Sequence, residues 1–295
     1  MNVVSAGTVW AAVITAAGSS SRMKGEAGNA GGGKKEYRPL DRADETGKPL
    51  TVLGAALSAF AAIGEIRTVV ITVPPEAETG EAAAREALPA RFLEGRGETP
   101  RLLFVPGGKT RRASVFHALS LLEPYHPRYV LIHDGARPWI DEALIRRTMR
   151  AALQYRAALP VLALVETPKE IVSAAELPEG TEIPGGLPDR AGLFFVKRHL
   201  RRAHIGTAQT PQAFAFPEIL YAHQKAAERE RAEGFEYTDD AEVWGDFCGP
   251  VAVVPGSPEN RKITFPEDLG DEIKPEGGAF PAQKLKFWES AGGEY

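Results

Sequence analysis

Cysteine is nearly absent from this 295-residue sequence, which contains one, Cys248. A single cysteine excludes an internal disulfide and a cysteine-rich zinc site, and it is typical of proteins in the reducing cytosol. The sequence also lacks an apolar run long enough to cross a membrane and a basic, cleavable leader at its N-terminus. We therefore expect a cytoplasmic protein without a membrane partner.

An excess of positive charge is missing too. The chain carries 35 Lys and Arg residues against 39 Asp and Glu residues, which gives a formal net charge of −4 at pH 7. No general attraction to nucleic acid follows from this balance, so we expect no nucleic-acid partner, and any affinity for phosphate must be local. At this length the chain can bury a full core, as one large α/β domain or as one domain with an appendage.

Apolar, β-rich runs alternate with helical patterns over most of the chain. This alternation predicts a parallel sheet covered by helices on both faces, with ligands at the carboxyl ends of the strands. The predicted strands are 9–15, 68–73, 101–105, 129–133, 161–165 and 251–254, and the predicted helices are 49–63, 76–93, 113–122, 141–156, 217–233 and 239–247.

The alternation breaks after residue 165. Residues 166–192 hold several Pro and Gly residues, and a β-like segment follows at 193–200. A long excursion of this kind inside a compact domain is usually functional or an interface, and we interpret it as a protruding two-stranded β-arm. The predicted organisation is a single domain over 1–273, with the arm at about 166–209, and a Gly-rich C-terminal tail at 274–295.

The first predicted strand leads into a loop of small residues that ends in Ser19-Ser20-Ser21-Arg22, and a second Gly-rich run ends in Lys34-Lys35-Glu36-Tyr37. Small residues let the backbone approach a ligand and leave N–H groups free to bind oxyanions. The basic side chains add fixed charge, so the loop is a candidate phosphate site, although many such loops bind nothing. It matches neither a Walker A loop nor a dinucleotide-binding fingerprint, which disfavours a P-loop NTPase and a simple Rossmann dehydrogenase.

Asp134 directly follows the predicted strand 129–133. A carboxylate at the end of a strand could hold Mg²⁺, which prefers oxygen ligands and needs only one or two carboxylates besides substrate phosphates. Alternatively, Asp134 caps the next turn and pairs with Arg137.

The segment from Gly107 to Val115 lies between a predicted strand and a predicted helix. Its backbone and Ser114 could contact a nucleobase or ribose while Arg111 meets phosphate. A helix N-terminus with solvated charges is the alternative, which we favour for Lys109 and Arg112.

Taken in order, these segments closely resemble the 2-C-methyl-D-erythritol 4-phosphate cytidylyltransferase family. The likeness covers about residues 9–269, and the ordered set is specific although no single motif is decisive. The matching segments are Ala16-Ala17-Gly18-x-x-x-Arg22-Met23, Lys35-Glu36-Tyr37, Gly107-Gly108-x-x-Arg111-x-x-Ser114-Val115, His133-Asp134-Gly135-Ala136-Arg137-Pro138, Glu166-Thr167-x-Lys169, Gln209-Thr210-Pro211-Gln212-Ala213-Phe214, Thr238-Asp239-Asp240 and Asn260-Arg261-Lys262-Ile263-Thr264-x-Pro266-Glu267-Asp268.

The resemblance implies a nucleotidyltransferase that moves CMP from CTP to a polyol phosphate in the non-mevalonate isoprenoid pathway, with Mg²⁺ as cofactor. It also implies a fold of the nucleotide-diphospho-sugar transferase type, which is a Rossmann-like, mostly parallel sheet with helices on both faces and a protruding β-arm. A homodimer formed through the β-arm is implied as well.

The same resemblance implies roles for individual residues. Arg22 and Lys35 would stabilise the transition state at the α-phosphate, and Arg202 and Lys262 would position the polyol phosphate. Arg201 and Arg198 are the alternatives to Arg202. Asp134 would face the reacting phosphates and Mg²⁺. The implied substrate-binding set is Ala16, Ala17, Gly18, Ser19, Gly107, Gly108, Arg111, Ser114, Asp134, Ala136, Arg137, Thr167 and Thr210, with Thr167 supplied by the partner subunit's arm.

The sequence departs from the family pattern in three places. The insertion 24–33 lengthens the loop before Lys35, and Gly135 stands where an alanine is usual, which we expect to be a mild change. Lys109 occupies a position where an acidic side chain could accept a hydrogen bond from the cytosine amino group, so base selection would rest on backbone groups.

Two other functions compete with this interpretation. Ribitol 5-phosphate cytidylyltransferase shares nearly all of these motifs, and the arm chooses the polyol. From a different class, a CTP-binding regulatory protein could keep the fold without turnover. The joint presence of Arg22, Lys35, Asp134 and Lys262 disfavours the regulatory protein, since binding alone would not need all four.

Overall fold

The structure, a computed structural model, describes residues 9–18, 34–94, 99–177 and 194–269. Within these ranges the chain forms two compact units. The first lies within 9–160 and 208–269, and the second within 161–207. The predicted site residues Ser19 and Arg22, the insertion 24–33 and the C-terminal tail lie outside the described residues.

The secondary structure follows the predicted alternation. The strands are β1 (Trp10–Thr15), β2 (Pro39–Ala43), β3 (Pro49–Thr51), β4 (Ile66–Val73), β5 (Arg101–Pro106), β6 (Tyr129–Asp134), β7 (Ala157–Ala163), β8 (Lys169–Ser173), β9 (Phe194–His199), β10 (Gly206–Ala208), β11 (Gln212–Ala215) and β12 (Ala252–Pro255). The α-helices are α1 (Val52–Ala61), α2 (Ala77–Glu86), α3 (Ala90–Leu93), α4 (Arg111–Leu122), α5 (Glu142–Tyr155), α6 (Glu218–Glu233) and α7 (Asp240–Phe247).

The sheet of the first unit has the strand order β7-β11-β6-β1-β4-β5. Strands β6, β1, β4 and β5 are parallel, whereas β11 runs antiparallel to β6 and β7. The register pairs Thr15 at the end of β1 with Asp134 on β6 and with Thr72 on β4. The carboxyl ends of the parallel strands therefore meet at one edge, where α/β proteins place their ligands.

Two hydrophobic cores cover the two faces of this sheet. Alternate residues of β1 point to opposite faces, so Trp10, Ala12 and Ile14 join one core while Ala11 and Val13 join the other. Helices α1 and α5 pack in the first core, and α4, α6 and α7 contribute to the second. Burial on both faces explains why β1 is a continuous apolar run, and the predicted α/β class with a mostly parallel sheet is confirmed.

Helix boundaries depend on caps that the broad sequence pattern did not resolve. The predicted helix 49–63 begins only at Val52, because Thr51 ends β3 and its hydroxyl accepts a hydrogen bond from the Gly54 N–H at 2.9 Å. The predicted helix 76–93 divides into α2 and α3 at Pro89, which lacks an N–H and precedes the first residue of α3. None of the helices in the described ranges is long and apolar enough to span a membrane.

The second unit contains an antiparallel pair, β8 with β9, inside the segment predicted as the arm. Ile171 is the register partner of Val196, and Phe194 lies on the same face because side chains alternate along a strand. These three side chains are about half or more exposed, at 60%, 49% and 63% in that order. One face of the β8–β9 ribbon therefore presents apolar surface to solvent.

Candidate functional site

A cavity of about 860 Å³ opens at the carboxyl edge of the first unit's sheet. Its walls come from the ends of β1, β4 and β6, from the loop between β5 and α4, and from two lysine-bearing segments. The lining residues are Thr15, Ala17, Gly18, Lys34, Lys35, Glu36, Thr72, Pro75, Glu76, Gly108, Lys109, Thr110, Arg111, Ser114, Asp134, Ala136, Lys262 and Thr264.

Asp134 lies at the centre of a cluster of three cationic side chains. Its Oδ2 lies 2.9 Å from Lys262 Nζ and 3.6 Å from Arg137 Nε, and its Oδ1 lies 3.3 Å from Arg111 Nε. Burial by itself raises the pKa of Asp134, but the charges of Arg111, Lys262 and Arg137 more than offset this and hold the pKa below its usual range. Asp134 is therefore an ionised carboxylate at the cavity wall.

Hydrogen bonds between two loops bring Lys262 to this cluster. The Ile263 N–H donates to the carbonyl of Ala136 at 2.8 Å, and Arg137 Nη1 donates to the carbonyl of Asn260 at 2.8 Å. Both contacts join the loop after β6 to the loop after β12. The predicted site residues Ala136 and Arg137 thus hold a residue 128 positions away from Asp134 within ion-pair distance of it.

Thr210 and His133 form a hydrogen-bond network with the backbone of Asp134 and Arg137. The Thr210 hydroxyl accepts a hydrogen bond from the Asp134 N–H at 3.1 Å and lies 3.0 Å from His133 Nδ1, while His133 Nε2 lies 3.2 Å from the Arg137 carbonyl. A neutral imidazole with its proton on Nε2 satisfies all three contacts. Burial lowers the pKa of His133 to about 4, which favours this neutral form.

This buried imidazole predicts a specific acid sensitivity. The pKa of His133 in the folded protein, about 4, lies below the ordinary value of 6.5. The contribution of the neutral imidazole to the free energy of unfolding is therefore fully present above pH 6.5 and is lost as the pH falls toward 4. At pH 5 we expect a loss of ~2 kcal/mol in the free energy of unfolding. Urea unfolding of wild type and of His133→Gln at pH 7.5 and pH 5 measures it. The variant should lose about that much less between the two pH values, and equal losses would contradict the assignment.

Close packing holds the loop between β5 and α4 against the loop after β1. A Cβ added at Gly107 would lie 2.3 Å from the Ala17 Cβ, and one added at Gly108 would lie 2.5 Å from the Ala113 Cβ. Ser114 accepts a hydrogen bond from the Gly108 N–H at 3.0 Å. Glycine is therefore required at both positions for this close packing, and Gly108 lines the cavity.

Gly135 has a similar requirement that the sequence did not reveal. A Cβ at this position would lie 2.7 Å from the carbonyl oxygen of Thr15, which also accepts a hydrogen bond from the Gly135 N–H at 2.9 Å. The replacement of the usual alanine looked mild from the sequence. In this backbone the glycine instead allows the ends of β1 and β6 to approach closely.

Two adjacent lysines, Lys34 and Lys35, line the cavity and bond to different segments of its wall. Lys35 Nζ donates to the carbonyl of Ile263 at 2.9 Å, on the same loop as Lys262. Lys34 Nζ donates to the carbonyls of Ala17 at 3.1 Å and Gly18 at 2.8 Å. Burial lowers the pKa of Lys34, although Glu36 and Glu76 act in the opposite direction. Sequence reasoning gave a catalytic role only to Lys35, whereas the structure brings both ammonium groups to the site.

Of the other predicted site residues, Ala16 and Thr210 lie in the first unit, where Ala16 N–H donates to Thr72 Oγ1 at 3.1 Å. Thr167 and Arg202 are exposed residues of the second unit, and Arg202 donates to the carbonyl of Val165. The roles of these residues in binding stay predictions.

Asp134 is the candidate protein ligand for Mg²⁺ at this cavity. The described part of the chain contains no group of three or more His, Cys, Asp or Glu side chains that could hold a metal ion by itself. Mg²⁺ commonly takes only one or two protein carboxylates and completes its shell with phosphate oxygens and water. The ionised Asp134 at the cavity wall therefore fits Mg²⁺ when phosphates supply further ligands.

Fold and site together define an α/β protein with a cationic cavity, suited to phosphate groups, at the carboxyl edge of its sheet. Among solved structures, the chain is similar to 4-diphosphocytidyl-2C-methyl-D-erythritol synthase from Anaerococcus prevotii, at 26% identity and TM-score 0.63, over 89% of this chain and 93% of that one. It is also similar to 2-C-methyl-D-erythritol 4-phosphate cytidylyltransferase from Thermus thermophilus, at 29% identity and TM-score 0.57, over 89% and 96% of the two chains.

The family model described as IspD, 2-C-methyl-D-erythritol 4-phosphate cytidylyltransferase, matches residues 10–272, so the chain belongs to this family, as its ordered motifs predicted. It is 34% identical to the protein of that name from Pelotomaculum thermopropionicum, over 88% of this chain and 90% of the relative. It is also 34% identical to a bifunctional enzyme IspD/IspF from Bartonella henselae, over 88% of this chain. The chain spans about half the length, 54%, of that bifunctional relative.

Proposed function

We propose that this chain transfers CMP from CTP to 2-C-methyl-D-erythritol 4-phosphate and releases pyrophosphate. The observation that carries the proposal is the cation cluster around Asp134, where Arg111, Arg137 and Lys262 meet beside Lys35 at the sheet edge. Membership of the family and the likeness to a relative of matching length support the same reaction.

The chemistry agrees with these residue types. A phosphate monoester oxygen is already a nucleophile near neutral pH, so attack on the α-phosphate of CTP needs no catalytic base. The difficulty is to bring two polyanions together and to neutralise charge on a five-coordinate phosphorus, which fixed cations do by positioning and electrostatics. Lys35 contacts the carbonyl of Ile263, the residue that follows Lys262. These two lysines are suited to the two phosphates, and Arg22 is proposed as a further cation.

Mg²⁺ is proposed as the cofactor, with Asp134 as the protein ligand. When bound, it would supply positive charge to the phosphates of CTP. The residues that now surround Asp134 have donors that match phosphate oxygens, since arginine offers a planar fork and lysine a compact charge. Phosphate binding can therefore free the carboxylate for the metal.

The acceptor is tested directly by mixing the purified protein with CTP, Mg²⁺ and one polyol phosphate at a time, and measuring pyrophosphate. We expect release with 2-C-methyl-D-erythritol 4-phosphate. Release with ribitol 5-phosphate alone would show that CMP transfer is correct but that the acceptor is ribitol 5-phosphate. CTP binding without pyrophosphate release under either acceptor would instead favour the regulatory, non-catalytic function.

We propose that the protein forms a homodimer through the β8–β9 ribbon, with Thr167 of one protomer serving its partner's site. The support is the exposed apolar face of Ile171, Phe194 and Val196, because a contiguous apolar patch of this kind marks an interaction site. Arg202 in the same unit is proposed to contact the polyol phosphate.

Replacing Phe194 with aspartate should weaken this dimer. A buried aromatic anchor commonly contributes about 2 kcal/mol or more to an interface, so the dimer dissociation constant should rise at least about thirtyfold. Sedimentation over a range of concentrations measures it. Tyr221→Asp is the matched control, since Tyr221 is also half exposed but lies on α6 in the first unit. Equal dissociation constants for wild type and Phe194→Asp would refute this interface.

We further propose that the protein works in the cytosol. The support is its single cysteine, Cys248, whose side chain is exposed. A reducing compartment keeps such a thiol from pairing with other molecules.

A further inference from the structure

Arg111 has a second anionic partner that neither the motifs nor the proposed reaction explains. Its Nη1 lies 2.8 Å from Oδ2 of Asp240, the first residue of α7, while its Nε faces Asp134 at 3.3 Å. The other oxygen of Asp240, Oδ1, lies 3.3 Å from His223 Nε2 on α6. The guanidinium at the cavity wall is therefore joined to a carboxylate and an imidazole in the protein interior.

The two carboxylates that share Arg111 differ in their access to ligands. Asp134 lines the cavity and also pairs with Lys262 and Arg137. Asp240 is completely buried, and its carboxylate pairs with the side chains of Arg111 and His223. A ligand that enters the cavity can draw Asp134 away from Arg111, but Asp240 stays in place.

We infer that Asp240 is a positioning residue that holds the Arg111 guanidinium toward the triphosphate of the bound nucleotide. This inference rests on the proposed function. An arginine side chain has many rotamers, and fixing some of its N–H groups in advance reduces the entropy that is lost when its planar fork orients a phosphate. Asp240 fixes the Arg111 guanidinium at Nη1, and the Nε side of the group is left for Asp134 or for phosphate oxygens.

The ionisation of Asp240 agrees with this role. Burial by itself raises the pKa of Asp240, but Arg111 and His223 more than offset it and keep the pKa below its usual range. The carboxylate is therefore charged, and it forms an ion pair with the charged guanidinium of Arg111 at 2.8 Å.

A purely structural role for Asp240 is the alternative, since the residue also joins α7 to α6. The neighbouring Asp239 separates the two roles. Asp239 caps α7 by accepting a hydrogen bond from the Glu242 N–H at 2.8 Å, and it accepts another from Gln212 Nε2 at 2.9 Å. It anchors the same helix through these two bonds rather than through Arg111, so Asp239→Asn is a matched control for the loss of one charge at this helix end.

The test is a double-mutant cycle on the full chain, with wild type, Asp240→Asn, Arg111→Gln, the double variant and the Asp239→Asn control. Two quantities are measured for each protein: the dissociation constant for CTP by calorimetry, and KM and kcat from pyrophosphate release. Loss of a charge-assisted contact should raise the CTP dissociation constant and KM about tenfold in Asp240→Asn. In the Arg111→Gln background, Asp240→Asn should change them less than about twofold, because the group it positions is gone.

Thermal unfolding is recorded in parallel, and Asp239→Asn should lower the melting temperature while its CTP affinity stays at the wild-type value. The inference is overturned if Asp240→Asn keeps wild-type CTP affinity, or if its effect is undiminished in the Arg111→Gln background. If wild type binds CTP but releases no pyrophosphate with any polyol phosphate, the proposed reaction fails, and the calorimetric cycle still decides the role of Asp240.

Discussion

Lys35→Ala is expected to bind CTP almost as well as wild type and to turn over roughly two to three orders of magnitude more slowly, by analogy with the loss of one oxyanion donor. The ammonium group lines the cavity and donates to the Ile263 carbonyl, next to Lys262. A charge placed there acts mainly on the negative charge that develops at the α-phosphate. The measurement is kcat from pyrophosphate release, together with the CTP dissociation constant.

Lys34→Ala is the matched control for this prediction. The side chain of Lys34 lines the same cavity, but it bonds to the carbonyls of Ala17 and Gly18 rather than to the loop of Lys262. We expect a weaker effect on kcat than that of Lys35→Ala, since this ammonium holds the loop after β1. If Lys34→Ala abolished turnover while Lys35→Ala remained close to wild type, the roles of the two lysines would have to be exchanged.

Asp134→Ala is expected to reduce both activity and stability. Three cations would remain in the cluster without their shared carboxylate, and breaking a buried ion pair by removing one partner typically costs about 3 kcal/mol or more. Turnover should fall at least about a hundredfold, because the proposed metal ligand is lost along with the order of the cations. Urea unfolding gives the stability change, and pyrophosphate release over a range of Mg²⁺ concentrations gives the kinetic change.

Asp141→Ala controls for the substitution itself. Asp141 caps α5 by accepting a hydrogen bond from the Leu144 N–H at 2.7 Å, so its loss should cost about 1 kcal/mol of stability without a change in kcat. Asp134→Asn removes the charge of the side chain but keeps its shape. This variant should retain more stability than Asp134→Ala, while its turnover stays low. Wild-type turnover in Asp134→Asn would refute a role for the carboxylate charge.

The predicted alternation of strands and helices identified most elements of the first unit, because strands buried on both faces form apolar runs in the sequence. It missed β2, β3 and β11, and it predicted at 161–165 the strand that the structure places at Ala157–Ala163. Strand β11 has four residues, Gln212–Ala215. Such a short segment is a strand here because it pairs with both β6 and β7, and these partners are distant in sequence. The helix ends were misplaced where a cap or a proline, such as Thr51 or Pro89, decides the boundary.

The candidate site was also predicted from the sequence only in part. Asp134, Arg111, Arg137 and Lys262 were named from ordered motifs, since each motif is local and its residue types suit phosphate chemistry. Asp240 belongs to a motif that was recognised, yet no sequence feature identified its partner. Its role became visible only where α7 brings it within 2.8 Å of Arg111.

By itself, the sequence determined the family, the α/β class and the residues that could carry charge to a phosphate, because these depend on residue types in order along the chain. The tertiary structure decided which charges meet. Lys262 and Asp134 are 128 positions apart, and their ion pair depends on how the loops after β6 and β12 bond to each other. An ion pair of this kind depends on distances of a few ångströms, which only the packing of the sheet and its loops sets.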